Sequence, residues 1–195
     1  STARAEETLE TLQNKQDQLI IEQNKIDDIL NSLKDDNSRK EEYGKNLESQ
    51  IKNLCDQIDI ENQKSFLIDA EITEKNLSIS NAQKKIDENF ENLKKRLRAV
   101  YKAGGNTAFI SIILNASTLS DFFNAADVAQ VIGKHDAKLL EELKSEMSKL
   151  EEEKSAIENK KQEVAKSKEI LEEKRKELEK IQEENKQLLE EIRQR

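Results

Sequence analysis

Residues 104–135 read GGNTAFISIILNASTLSDFFNAADVAQVIGKH and separate two long stretches of heptad-patterned sequence. The segment holds three of the four glycines in the chain. Its fully charged residues are Asp121, Asp127 and Lys134. The pair Gly104-Gly105 predicts the end of a helix, because glycine is favoured just beyond a helix C-terminus. The segment is therefore predicted to be the tip between two helices.

Capping residues divide this tip further. Thr107 is a candidate N-cap for a short apolar helix that runs through Leu114. Ser120 or Thr118 is a candidate N-cap for the helix that follows, and Asp121 then lies at the positive end of that helix dipole.

The sequence before the tip keeps one heptad phase from Leu9 to Val100. Nine of fourteen positions in the first series are apolar: Leu9, Gln16, Gln23, Leu30, Asn37, Gly44, Ile51, Ile58, Ser65, Ile72, Ile79, Ile86, Leu93 and Val100. Eight of thirteen are apolar in the second: Leu12, Leu19, Ile26, Leu33, Lys40, Leu47, Leu54, Glu61, Ile68, Lys75, Ala82, Asn89 and Arg96. Such a sustained pattern predicts a coiled-coil helix.

The polar segment Asp35 to Gly44 interrupts the apolar pattern and leaves two alternatives. A turn would normally reset the heptad phase, whereas Leu33 and Leu47 lie two heptads apart in one series. One interior glycine costs a helix only about 1 kcal/mol. We therefore expect a continuous helix, with a fold-back at this segment as the alternative.

A second frame follows residue 120. Its apolar series is Leu143, Leu150, Ile157, Val164, Leu171, Leu178, Asn185 and Ile192. The companion series is mostly cationic: Met147, Lys154, Lys161, Lys168, Arg175, Gln182 and Leu189. The lysine stems can lie on a helix seam while their charged ends meet carboxylates of the first helix.

The two frames predict an all-α fold, a long antiparallel coiled-coil hairpin with short helices at its tip. We expect an ascending helix over residues 1–103, a tip loop and short helix over 104–119, and a descending helix over 120–195. The arms are unequal, so the first 25 or so residues are expected to need another partner, either a second molecule or a continuation of the chain.

The composition excludes several classes of protein. The chain has 33 basic and 41 acidic residues, a net charge of −8, no proline and 34% hydrophobic residues. Phosphate binding needs a basic surface, so nucleic acid is not expected as a partner. The sequence contains no run of 18 apolar residues, so no membrane span is predicted. One cysteine, Cys55, and one histidine, His135, cannot build a zinc site, and both are expected to be structurally inert. No cofactor and no catalytic residue is predicted.

The tip carries more apolar surface than sealing one hairpin end requires. An apolar patch on an otherwise charged helical protein indicates an interaction site. The candidate partner-binding residues are Tyr101, Phe109, Ile110, Ile112, Ile113, Leu114, Leu119, Phe122 and Phe123. The alternatives are a purely structural seal packed on Leu97, Val100 and Tyr101, and insertion into a membrane surface.

A basic collar lies below the tip: Lys94, Lys95, Arg96, Arg98 and Lys102. Such a run is usually a solvated helix face, and the alternative is that it steers an acidic loop of a partner toward the apolar patch.

The segment from Leu97 to Ile132 resembles the coiled-coil domain of the PcsB/CwlO-type peptidoglycan hydrolases of Gram-positive bacteria. The matching pieces are Arg98-Ala99-Val100-Tyr101 with Lys102 and Gly104, the apolar run Phe109 to Leu114, and Ser117-Thr118-Leu119-Ser120-Asp121-Phe122. The resemblance implies a secreted enzyme with a signal peptide, this coiled coil, and a C-terminal cell-wall hydrolase domain that lies outside this sequence.

The resemblance also implies a role. In that family the coiled coil docks on the extracellular loop of FtsX, in the FtsEX complex, and keeps the hydrolase domain inactive until cell division or elongation. This chain is therefore expected to be a non-catalytic regulatory domain at the outer face of the cytoplasmic membrane, and a homodimer is a further expectation. The alternative is a structural spacer or dimerisation rod with no regulatory partner.

Overall fold

The computed structural model describes residues 7–102, 111, 114–128 and 134–194. These residues form four α-helices: α1 (Leu9–Leu33), α2 (Lys40–Lys102), α3 (Leu119–Val128) and α4 (Lys134–Arg193). A short 3₁₀ helix, Asn37–Arg39, precedes α2. None of the described residues lies in a strand, which confirms the all-α prediction.

The continuous helix expected over residues 1–103 is wrong, because α1 ends at Leu33 and α2 begins at Lys40. Asp36 stabilises the turn between them. Its carboxylate accepts hydrogen bonds from the Ser38 amide at 3.0 Å and from the Ser38 hydroxyl at 2.6 Å. The Asp36 amide donates to the Leu33 carbonyl at 3.1 Å. An Asx turn of this kind competes with helix, and here it ends α1 without shifting the heptad phase.

The predicted descending helix over residues 120–195 corresponds to α3 and α4, and residues 129–133 lie outside the described part of the chain. The four helices divide between two compact units. Unit 1 comprises Ser1–Glu71 with Lys160–Arg195, and unit 2 comprises Ile72–Asn159.

Unit 1 contains α1, the first half of α2 and the second half of α4. α2 and α4 run antiparallel there, since Lys40 pairs with Glu191 at 3.1 Å and the Ser65 and Ser167 hydroxyls lie 2.8 Å apart. α1 contacts both of them: the Gln16 amide donates to Glu61 on α2 at 2.5 Å, and the Gln23 amide donates to Glu177 on α4 at 3.5 Å. The expectation that the N-terminal residues need a separate partner is therefore corrected, because α1 folds back onto its own chain.

Tyr43 links α2 to α4 near the α1–α2 turn. Its hydroxyl donates to the Glu184 carboxylate at 2.5 Å. Partial burial and this carboxylate together raise the pKa of the Tyr43 phenol to about 12.

Unit 2 pairs the second half of α2 with the first half of α4, again antiparallel, and α3 packs against both. Its core contains Ile86, Leu93 and Leu97 from α2, Phe122 from α3, and Leu140, Leu143 and Leu150 from α4. Arg96 on α2 pairs with Asp136 on α4 at 2.8 Å. The antiparallel pairing of α2 with α4 in each unit confirms the coiled-coil hairpin class.

The apolar series predicted for the descending helix is confirmed over five heptads. Leu143, Leu150, Ile157, Val164 and Leu171 are all buried. Lys160 of α4 pairs with the Glu71 carboxylate of α2. No described helix is long and apolar enough to cross a membrane.

Replacing Asp36 by alanine is expected to lower the urea midpoint of unfolding at neutral pH, because the turn then loses two hydrogen bonds. The Ser38 hydrogen bonds lower the pKa of Asp36 below 3.8 in the folded chain. Asp36 therefore stabilises the fold above that pH, and this contribution is lost as the pH falls through its folded-state pKa. The difference between wild type and Asp36→Ala should shrink to nothing in acid, as followed by helical circular dichroism.

The neighbouring exposed variant Asp35→Ala is the matched control and should leave the midpoint unchanged. Equal losses for the two variants, or a loss at Asp36 that persists in acid, would contradict the role of this cap.

Candidate functional site

The candidate site is built around α3, and Thr118 fixes where that helix begins. The Thr118 hydroxyl accepts a hydrogen bond from the Asp121 amide at 3.1 Å, and the Phe122 amide donates to the Thr118 carbonyl at 3.0 Å. Of the two caps that the sequence allowed, Thr118 is the one observed. Asp121 lies in the first turn of α3, where its negative charge is favourable.

Phe122 is the anchor that holds α3 on the α2–α4 pair. Its side chain is 0% exposed and belongs to the core of unit 2. The Phe90 ring of α2 meets it edge to face, with centroids 4.9 Å apart and an interplanar angle of 79°. Phe123 meets it at 6.3 Å and 63°. In this structure Phe122 is a packing residue with no exposed surface.

The predicted partner-binding residues that retain exposed surface are Leu114, Leu119 and Phe123. All three are half-buried and pack against the core of unit 2. Ala116 and Ala125 are also partly buried and pack against the same core. We call Leu114, Leu119 and Phe123 the tip patch. It combines a buried side, which holds the tip together, with an outer side that is open to solvent.

Four predicted docking residues, Phe109, Ile110, Ile112 and Ile113, lie outside the described residues, and so does the side chain of Tyr101. The predicted helix stop at Gly104-Gly105 and the predicted cap at Thr107 also fall there. They remain predictions.

Two lysines of unit 2 lie near aromatic rings, one at the tip patch and one at Phe90. The Lys144 ammonium lies 5.7 Å from the centroid of the Phe123 ring. The Lys94 ammonium lies 4.3 Å from the Phe90 ring centroid and pairs with Glu91 at 2.6 Å. Cations held over ring faces are attracted by the negative face of the ring.

The basic collar predicted from the sequence divides into two kinds of residue. Lys94 and Arg96 make structural contacts, the latter with the buried carboxylate of Asp136. Lys95 and Arg98 are exposed. The hydrogen bond from Lys94 lowers the pKa of Glu91, and the nearby charges of Lys94, Arg98 and Lys95 lower it further. Lys95 and Arg98 are therefore available to a partner, and the side chain of Lys102 lies outside the described part of the chain.

Neither Cys55 nor His135 joins a chemical site, since both side chains are exposed. Among the described residues, no group of three His, Cys, Asp or Glu side chains could hold a metal ion.

The sequence reasoning missed Phe90 and Lys144. A signal for Phe90 was available, because Ile86, Phe90, Leu93 and Leu97 follow the 4-3-4 spacing of one helix face. Lys144 gave no such signal, since its role depends on where α3 docks.

Comparison with known families adds one finding. Residues 79–153 match the family model described as the coiled-coil domain of the peptidoglycan hydrolase PcsB. The matched segment lies within unit 2 and includes α3, Phe90 and Lys144. The resemblance inferred from Leu97 to Ile132 is confirmed. No curated protein and no solved structure matches the chain.

Truncation of Phe122 to alanine is expected to destabilise the protein by about 3–5 kcal/mol, because it leaves a cavity at the centre of the unit 2 core. Urea unfolding followed by circular dichroism measures the change.

The control is Phe66→Ala, the same truncation at a phenylalanine that is 73% exposed. We expect it to change stability by less than about 0.5 kcal/mol. Similar losses at the two positions would contradict the role of Phe122 as the anchor of the tip.

Proposed function

We propose, from the match of residues 79–153 to the model of the PcsB coiled-coil domain, that this chain is the regulatory docking domain of a secreted peptidoglycan hydrolase. In this proposal the tip binds the extracellular loop of FtsX, in the FtsEX complex, on the outer face of the cytoplasmic membrane. A C-terminal hydrolase domain of the same protein carries the catalysis. Docking of the tip controls that domain during cell division or elongation.

The tip patch is the observation that carries the proposal. Leu119 and Phe123 lie half-buried on α3, which Thr118 and Phe122 fix in place, so they present a preformed surface that reduces the entropy cost of binding. Leu119 and Phe123 offer apolar area to the partner. The proposal also assigns contacts with the partner to Tyr101, Phe109, Ile110, Ile112 and Ile113, on the sequence prediction alone.

The charge pattern supports a partner with acidic groups beside an apolar centre. Lys95 and Arg98 are exposed below the patch, and Lys144 lies beside Phe123. Complementary charges at the rim of an interface mainly raise the association rate, whereas the desolvated apolar centre supplies most of the affinity.

The second candidate function is a structural spacer whose apolar tip only seals the end of the helix pair. The complete burial of Phe122 favours a purely structural role for that side chain. The two functions differ in what the exposed sides of Leu119 and Phe123 do, so these residues carry the test.

The double substitution Leu119→Asp with Phe123→Asp is expected to weaken binding to the purified FtsX extracellular loop at least about tenfold, a change of about 1.4 kcal/mol. Isothermal titration calorimetry with the full chain measures the affinity, and circular dichroism checks that helicity is retained. The matched control is Leu77→Asp, at an exposed leucine of α2 within unit 2, and it should leave the affinity unchanged.

The charge-reversal pair Lys95→Glu with Arg98→Glu keeps the test decisive if the apolar variants fail to fold. It is expected to slow association and to reduce the dependence of the rate on salt. Wild-type affinity in a folded Leu119/Phe123 variant, or no binding of the FtsX loop by the wild-type chain, would overturn the proposal and favour the spacer.

A further inference from the structure

The most buried row of α2 in unit 1 is not apolar. Leu47, Gln50, Leu54, Gln57 and Glu61 follow one another at spacings of three and four residues, and each is at most 4% exposed. Glutamine or glutamate thus fills three of the five most central positions. The predicted core positions Ile51 and Ile58 are only half-buried.

α1 docks on the polar flank of this row. The Asn53 side-chain amide donates to the Leu19 carbonyl at 2.9 Å, and the Gln57 amide donates to the Gln23 side chain at 2.9 Å. The Gln50 amide donates to the Asp27 carboxylate at 2.6 Å.

A fourth link lies near the N-terminal end of α1, where the Gln16 amide donates to Glu61 at 2.5 Å. α1 is therefore held along most of its length by side-chain hydrogen bonds from a neighbouring helix.

The polar row also reaches α4. The Ser167 hydroxyl donates to Glu61 at 2.5 Å, and the Lys174 ammonium donates to the Gln57 side-chain oxygen. Desolvation lowers the pKa of Lys174. The side-chain oxygen of Gln50 is buried and makes no hydrogen bond among the described residues.

Such a seam fixes an alignment more than it adds stability. A buried hydrogen bond replaces bonds to water and contributes only about 0.5–1.5 kcal/mol net. Buried polar side chains specify one register at a cost in stability. α1 also leaves Ile20, Ile21 and Ile29 exposed, although three of its other apolar residues, Leu12, Ile26 and Leu33, are buried.

α2 and α4 are held together by more than the contacts of unit 1, because the same two helices pair again in unit 2, whereas α1 lies wholly in unit 1. Separating α2 from α4 along their length therefore disrupts both units. Undocking α1 opens only its own interface, where the freed polar groups can bond to water instead.

We propose that α1 is a displaceable strap, which undocks from unit 1 as a helix while α2 and α4 stay paired. Undocking uncovers the buried Leu12 and Leu33 of α1. The hydrogen-bonded seam returns α1 to one register when it docks again. The strap lies in unit 1, so the proposal does not depend on the function assigned to the tip.

Amide hydrogen exchange of the intact chain, resolved by mass spectrometry under native conditions, tests the strap. Peptides from residues 9–33 are expected to exchange at least about tenfold faster than peptides from residues 164–188, because they open without global unfolding. Equal protection of the two segments would overturn the proposal, since α1 and α4 would then open only together.

The double substitution Gln50→Leu with Asp27→Leu tests whether the polar seam is the reason that α1 undocks. It replaces one polar link of the seam and its unpartnered oxygen by an apolar pair, so exchange in residues 9–33 is expected to slow about tenfold while exchange in 164–188 is unchanged. The control is Gln18→Leu with Asp28→Leu, the same residue types on the exposed side of α1. An equal effect of the two pairs, or no slowing by the first, would overturn the seam as the cause.

Discussion

The structure depends on one row of apolar side chains spaced by seven residues along α4. Leu143, Leu150, Ile157, Val164 and Leu171 are buried one after another, and α2 packs antiparallel to this helix in both units. With 34% hydrophobic residues and 38% charged ones, the chain has limited apolar material from which to build a core. The row therefore fixes the register of the α2–α4 pairing, and the polar contacts described between these two helices form within that register.

The sequence was sufficient to predict the structure where the buried residues follow the heptad spacing. The α4 row and the all-α class were predicted correctly, and the observed cap, Thr118, was one of two candidates, because each depends on local spacing or on a single side chain. The break at Asp36 was only the alternative to a continuous helix, because α1 turns back at a point where the spacing from Leu33 to Leu47 still equals two heptads. Heptad periodicity predicts which face of a helix is buried, but it does not reveal a turn that preserves the heptad phase.

The burial of the glutamines Gln50 and Gln57 was not predicted, for a related reason. Gln50 and Gln57 adjoin the apolar positions Ile51 and Ile58, and a two-helix pairing would leave them at the solvent edge. Packing of a third helix buries this flank of α2. That helix is α1, which reaches α2 only because the chain folds back at Asp36. At the tip, the apolar residues were identified as a group, but only their docking on Phe90 separates Phe122, which is sealed in the core, from Leu119 and Phe123, which keep exposed surface.

The bond between Tyr43 and Glu184 gives the protein an optical property of its own. The chain contains no tryptophan and two tyrosines, so its near-ultraviolet absorbance comes largely from phenol rings. The Tyr43 ring stays protonated at alkalinities where an unstructured tyrosine has already become phenolate. Its absorbance change in base is therefore an intrinsic, label-free signal for whether α2 and α4 are still in contact beside the α1–α2 turn.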